Sequence, residues 1–225
     1  MNSIYLLALI PYIPVWMYMN VRGSVQIKKE MLVMSFLVAI VSPVASYLWW
    51  NKDWWLPPSL WGGQNYTFIP EDVLLGFLFG GIAAVIYEFS FGKGLSKNRK
   101  PHKKMFTLFV LLTFAICAVL FSLFNFNSFY SIIISMILIS LGVLSIRRDL
   151  IKSSVYSGAL TLIVAIPFYA IIHFISPDWA LITYKYQFLS GVTIYNFPIE
   201  EFIFWFFYGL TIGTAYEYAK GWGFK

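Results

Sequence analysis

The chain has 225 residues, 60% of them apolar or aromatic and only 12% charged, with a net charge of +6 and a mean hydropathy of +0.73. A soluble domain would carry about a quarter of its residues as charges; here apolar stretches of about twenty residues recur, long enough to cross a ~30 Å hydrocarbon core. The composition excludes a water-soluble enzyme, and the lone Cys117, inside such a stretch, excludes an internal disulfide framework or a thiolate metal site.

Seven spans are expected in chain order, at about 3–20, 31–50, 70–91, 105–124, 129–146, 155–175 and 198–219. The first lacks the basic leader and small-residue cleavage pattern of a signal peptide and reads as a retained span. After the second comes a tryptophan-rich loop whose Trp49, Trp50, Trp54, Trp55 and Trp61 resemble an interfacial belt. The tight turn Asn125-Phe126-Asn127-Ser128 makes spans four and five an antiparallel hairpin.

Basic residues gather in alternate loops. Arg22, Lys28 and Lys29 follow span one; Lys93, Lys97, Arg99, Lys100, Lys103 and Lys104 follow span three. Arg147, Arg148 and Lys152 follow span five, and Lys220 and Lys225 follow span seven, so that of sixteen basic residues only Lys52 and Lys185 fall on the other side. Positive charge accumulates in the cytoplasm, which places the N-terminus outside and the C-terminus inside. Anionic lipid headgroups account for the basic rim, and no nucleic-acid partner is implied.

An offset of 129 residues aligns the chain with itself. Leu60, Gly62, Tyr66, Phe68, Glu71 and Asp72 meet Leu189, Gly191, Tyr195, Phe197, Glu200 and Glu201. Further on, Phe77, Gly80, Tyr87, Glu88, Gly92 and Gly94 meet Phe206, Gly209, Tyr216, Glu217, Gly221 and Gly223. The expected architecture is two parallel three-helix repeats, 1–92 and 129–225, joined by a basic loop and connector span over 93–128. Such repeats commonly enclose a site at their interface.

Carboxylates are few and placed twice alike. Glu71 and Asp72 follow Pro70, and Glu200 and Glu201 follow Pro198, each at the expected first turn of a helix. As caps they complement the helix dipole. As chemistry, adjacent carboxylates whose affinities for a proton are driven apart supply a donor and an acceptor. The aromatic run after the second pair, Phe202, Phe204, Trp205 and Phe206, could stabilise a cation or simply face lipid. Tyr66 and Tyr195 flank the two motifs as further candidates for the substrate wall. Glu88 and Glu217 are expected to pair with nearby lysines. His102 and His173 are isolated, which speaks against zinc. Gly92-Lys93-Gly94 has no βαβ unit around it to make a dinucleotide fingerprint, so no cofactor is expected.

The stretch from Gly191 to Phe204, with Pro198-Ile199-Glu200-Glu201 at its centre, resembles the Pro-x-Glu-Glu signature of the lycopene cyclase domain family. That family contains heterodimeric and fused forms, the fused form having two three-span halves that each end in the motif. The resemblance implies redox-neutral cyclisation of a linear carotenoid such as lycopene, with acid or base roles for Glu200 and Glu201. The first half departs from the pattern, because Pro70 adjoins Glu71 directly and Asp72 replaces a glutamate. The four carboxylates are therefore the candidate catalytic set, with the aromatics as substrate wall, membrane lipids as surroundings and room for a homo-oligomer.

Two other functions compete. A CAAX-type protease also begins with a Glu-Glu pair, but needs an arginine where Trp205 stands. A carrier of apolar lipid or isoprenoid would use the same chamber with the carboxylates as caps only.

Overall fold

The computed structural model describes residues 3–60, 69–97 and 99–224. It is mostly helical: α1 Ile4–Leu9, α2 Tyr12–Arg22, α3 Val25–Ala45, α4 Asn51–Asp53, α5 Glu71–Phe91, α6 Lys103–Leu123, α7 Ser128–Ile146, α8 Ile151–Ile175, α9 Trp179–Thr183, α10 Ile199–Ile212 and α11 Ala215–Lys220. Among the described residues four short strands, β1 Leu95–Lys97, β2 Thr193–Ile194, β3 Phe197–Pro198 and β4 Trp222–Phe224, form two small antiparallel pairs.

Among the described residues, six helical stretches are long and apolar enough to cross a membrane: Ile4–Arg22, Val25–Asp53, Glu71–Phe91, Lys103–Leu123, Ser128–Ile146 and Arg148–Ile175. Pro11 caps α2 where the first stretch is interrupted. In the second, a turn of π-helix over Ser46–Trp50 joins α3 to α4. The stretch expected as a seventh span is divided into α10 and α11 by Gly213 and Thr214. Fourteen residues at 1.5 Å each make α10 too short to cross alone.

Packing explains where that break sits. A Cβ on Gly209 would lie 2.5 Å from the Thr161 side chain, and one on Gly213 2.3 Å from that of Ser157. The α10 backbone thus lies directly against the small residues of α8, the contact that glycine allows between apolar helices. α3 and α5 form the other close pair, α6 leans on α7 and α11, and α5 also touches α8 and α10.

The two ends of the bundle are tied by short backbone pairings. At the end carrying Glu71 and Glu200, Trp55 bridges Tyr184. Around this bridge Leu56 N–H donates to Thr183 O at 2.9 Å and Lys185 N–H to Trp54 O at 3.1 Å. At the basic-loop end, β1 pairs with β4 so that Leu95 faces Phe224. Trp55 and Tyr184, and likewise Leu95 and Phe224, stand at the 129-residue offset. So do Gly92 and Gly221, which both cap a helix in the left-handed region, at φ +60° and +70°, with N–H groups on Glu88 O and Glu217 O. Positive φ is available to glycine without the Cβ penalty.

Candidate functional site

The two acidic pairs each begin a helix, as the prolines suggest: α5 starts at Glu71 after Pro70, and α10 at Ile199 after Pro198. All four carboxylates are buried, yet within each pair the two point to different tasks. Glu71 accepts from the Leu60 N–H at 2.7 Å and the Ser59 hydroxyl at 2.9 Å. Glu200 accepts from the Ser190 N–H at 2.6 Å and the Tyr130 hydroxyl at 3.1 Å. The first acid of each pair therefore fastens the loop that precedes its helix.

The second acids behave differently. Asp72, 1% exposed, and Glu201, 4% exposed, both line one small cavity of about 30 Å³ with Trp50, Trp54, Trp55, Leu75, Phe168, Tyr169, Phe204 and Trp205. Each accepts from a tyrosine. The Tyr5 hydroxyl donates to Asp72 Oδ1 at 2.6 Å, and the Tyr169 hydroxyl donates to Glu201 Oε2 while accepting from Trp205 Nε1–H. Asp72 Oδ2 has no hydrogen-bond partner among the described residues; the Ser46 hydroxyl lies nearby outside bonding geometry, as the Tyr184 hydroxyl does beside Glu201.

A larger apolar cavity of about 170 Å³ adjoins it. Trp50, Leu75, Phe204 and Trp205 border both. Its walls come from α3, α5, α6, α7, α10 and α11, and include Phe79, Phe109, Phe114, Cys117, Met136 and Tyr208. The rings pack in offset or edge geometries, such as Phe79 against Trp205 at 4.4 Å and Trp50 against Phe204 at 5.7 Å. Aromatic rings of this kind carry negative faces that can stabilise a cation.

The roof over the small cavity is built by the loops that meet at Trp55 and Tyr184. Asp53 accepts from both the N–H and the hydroxyl of Ser128, at 2.6 and 2.5 Å. Lys185 Nζ reaches the Lys52 carbonyl at 3.0 Å. Tyr186 donates to the Asn196 carbonyl, and burial beside Glu201 pushes its phenol up to about 12, keeping that donor protonated.

Of the aromatics expected as substrate wall, Phe204 and Trp205 line both cavities. Phe202 packs on Tyr169 at 5.4 Å, outside the lining. Phe206 packs against Gly158 on α8 instead. Tyr195 is 75% exposed in the turn between β2 and β3. Tyr66 lies outside the described residues, as does Trp61. The tryptophan belt is a correction: Trp49, Trp54 and Trp55 are buried, because the π-helical turn and α4 fold this segment inward over the cavity. Sequence reasoning missed Tyr5 and Tyr169, whose partners lie more than thirty residues away, and placed Trp50 in the belt although it borders both cavities.

Glu88 and Glu217 also depart from expectation. Among the described residues the single ion pair is Arg147–Asp149, at 2.7 Å, so neither glutamate meets a lysine. With Glu30 they form a buried group, each 0–1% exposed and near one another, and among the described residues none of their side-chain oxygens meets a partner in hydrogen-bond geometry. Lys220 lies over the Tyr216 ring at 5.5 Å instead. No cluster among the described residues is arranged to hold a metal ion. Arg147, expected on a solvated rim, is buried and ties the turn before α8 to the C-terminal strand through Trp222 O at 2.6 Å.

Residues 127–219 match the family model described as lycopene cyclase. This segment holds α7 to α10 and most of α11, with Tyr169, Glu200, Glu201 and Trp205, and leaves Asp72 outside. Neither curated proteins nor solved structures provide a match.

Proposed function

From the match of residues 127–219 to the lycopene cyclase family model, we propose that the chain is a membrane carotenoid end-group cyclase acting through acid–base chemistry. The observation that carries this reading is the meeting of Asp72 and Glu201, from opposite halves of the chain, on one small cavity beside a larger apolar one. The larger cavity suits a stretch of polyene and the smaller one the end group that reacts.

The reaction needs a proton delivered and a proton removed. One carboxyl protonates C2 of the terminal alkene, and the C1 cation is captured by the C5=C6 double bond. The facing carboxyl then takes the proton from C6, which leaves a β ring. Atoms and electrons balance without an oxidant or reductant, making the reaction an isomerisation that calls for no cofactor. Trp50, Trp54, Trp55, Phe204 and Trp205 stabilise the cation through their ring faces, and the apolar walls keep out water that would capture it. Glu71 and Glu200 serve the site indirectly by holding the loops in front of α5 and α10.

The same reading covers the architecture. α10 and α11 together form a seventh, interrupted crossing, tolerated because its broken turn is buried in protein. The pairings at the 129-residue offset at both ends of the bundle support two parallel repeats, 1–92 and 129–225, about an axis running between them, with 93–128 as connector. The basic rim supports a cytoplasmic C-terminus.

The test is expression in cells that accumulate lycopene, followed by chromatography of the extracted pigment. A cyclic product supports the cyclase. Unchanged lycopene that follows the protein into the membrane fraction supports a carrier instead.

A further inference from the structure

Glu201 is oriented by a chain of hydrogen bonds whose direction can be worked out. The indole N–H of Trp205 can only donate, and it donates to the Tyr169 hydroxyl. The Tyr169 oxygen is therefore an acceptor on that side, and its own proton goes to Glu201 Oε2. That oxygen is the one acceptor the hydroxyl meets among the described residues. A proton on Oε2 would leave the buried Tyr169 O–H with the poorer acceptor, a carboxyl hydroxyl oxygen in place of a carbonyl or carboxylate oxygen, and weakened buried hydrogen bonds are costly. The arrangement thus favours the proton on Oε1 over Oε2 when Glu201 is neutral.

We propose that Tyr169 is a positioning residue: held between the Trp205 indole and Glu201, it reserves Oε2 as an acceptor and leaves Oε1 as the oxygen that exchanges a proton with substrate. Tyr5 plays the matching part for Asp72, occupying Oδ1 at 2.6 Å while Oδ2 meets no partner in bonding geometry among the described residues. The two tyrosines are not repeat mates, since Tyr5 lies on α1 and Tyr169 on α8. Each half of the chain reached the same device from a different helix. The inference rests on the cyclase reading and adds to it which oxygen of each carboxyl works.

The experiment measures kcat and KM of the full chain in lycopene-loaded vesicles for Tyr169→Phe, Trp205→Phe and the double variant. Tyr169→Phe keeps the ring and should lower kcat ~10- to 100-fold at unchanged KM, the scale expected when a reacting group loses its orientation. Trp205→Phe removes the donor and leaves a weaker aromatic face, so it should lower kcat by a larger factor in the wild-type background than beside Tyr169→Phe, where only the weaker face remains to be felt. Losses that multiply, or a Tyr169→Phe enzyme with wild-type kcat, overturn the relay. Should Tyr169→Phe fail to accumulate, Trp205→Phe decides alone, and wild-type kcat there overturns it. Wild type that forms no ring defeats the cyclase reading itself, whereas full wild-type turnover beside an unaffected Tyr169→Phe defeats only the relay.

Discussion

Replacing Gly209 with alanine tests whether the α8–α10 contact sets the geometry of the site. The added Cβ would fall 2.5 Å from both Cβ and Oγ1 of Thr161 and 2.6 Å from the Ser157 carbonyl. These distances are roughly 1 Å short of ordinary van der Waals contact. The obstructing atoms are backbone and the stiff root of a β-branched side chain, so the helices must part. Overpacking of this kind costs about 1–3 kcal/mol, more than the gain of up to about 1 kcal/mol that alanine brings over glycine in a helix. The movement also separates Glu201 on α10 from Tyr169 on α8, and a misplacement near 1 Å can cost about 100-fold in rate. Gly142→Ala is the control, because its Cβ would meet Phe109 at an ordinary 3.6 Å. Thermal unfolding of the purified chain in detergent should show Gly209→Ala destabilised and Gly142→Ala neutral or slightly stabilised, with ring formation reduced only in the former. Equal melting temperatures and equal activities for the two variants would refute the reasoning.

Glu201→Gln and Asp72→Asn should each lower cyclisation ~100-fold or more, the loss typical of a general acid or base. Glu71→Gln and Glu200→Gln, which keep a carbonyl oxygen to accept from the loop, should stay within about 10-fold of wild type. Product formation at matched membrane expression separates the two classes, and equal losses at all four positions would contradict the division of labour. Leu95→Cys with Phe224→Cys, in a Cys117→Ser background, should form an intramolecular disulfide on mild oxidation, since these residues pair directly; a pair that stays reduced argues against the joined ends. Reporter fusions after Lys97 should score cytoplasmic and those in the 51–60 loop external, and the reverse pattern would overturn the orientation.

Much of this arrangement was legible in the sequence because it is local. Prolines and acids marked the starts of α5 and α10, and Asn127, in the turn expected before span five, does cap α7 through Phe129 N–H at 2.7 Å. The offset of 129 residues picked out Glu71 with Glu200 and Asp72 with Glu201. What stayed hidden depends on distant partners. Adjacent carboxylates look alike in sequence, and only the fold turns Glu71 and Glu200 toward loops and Asp72 and Glu201 toward a cavity. Tryptophans near a helix end suit an interface as well as an interior, and the π-helical turn that draws Trp49, Trp54 and Trp55 inward has no simple signature. Gly213 and Thr214 interrupt an apolar run that hydropathy alone reads as continuous. Glu88 and Glu217 lie near lysines in the chain but face Glu30 in space.

The central claim is redox-neutral cyclisation by proton exchange, and deuterium labelling tests it most directly. The purified chain, equilibrated in D₂O within lycopene-loaded vesicles, should form cyclic product that gains one mass unit per ring, with the deuterium at C2. Linear lycopene alone, or rings that carry no deuterium, would contradict the account.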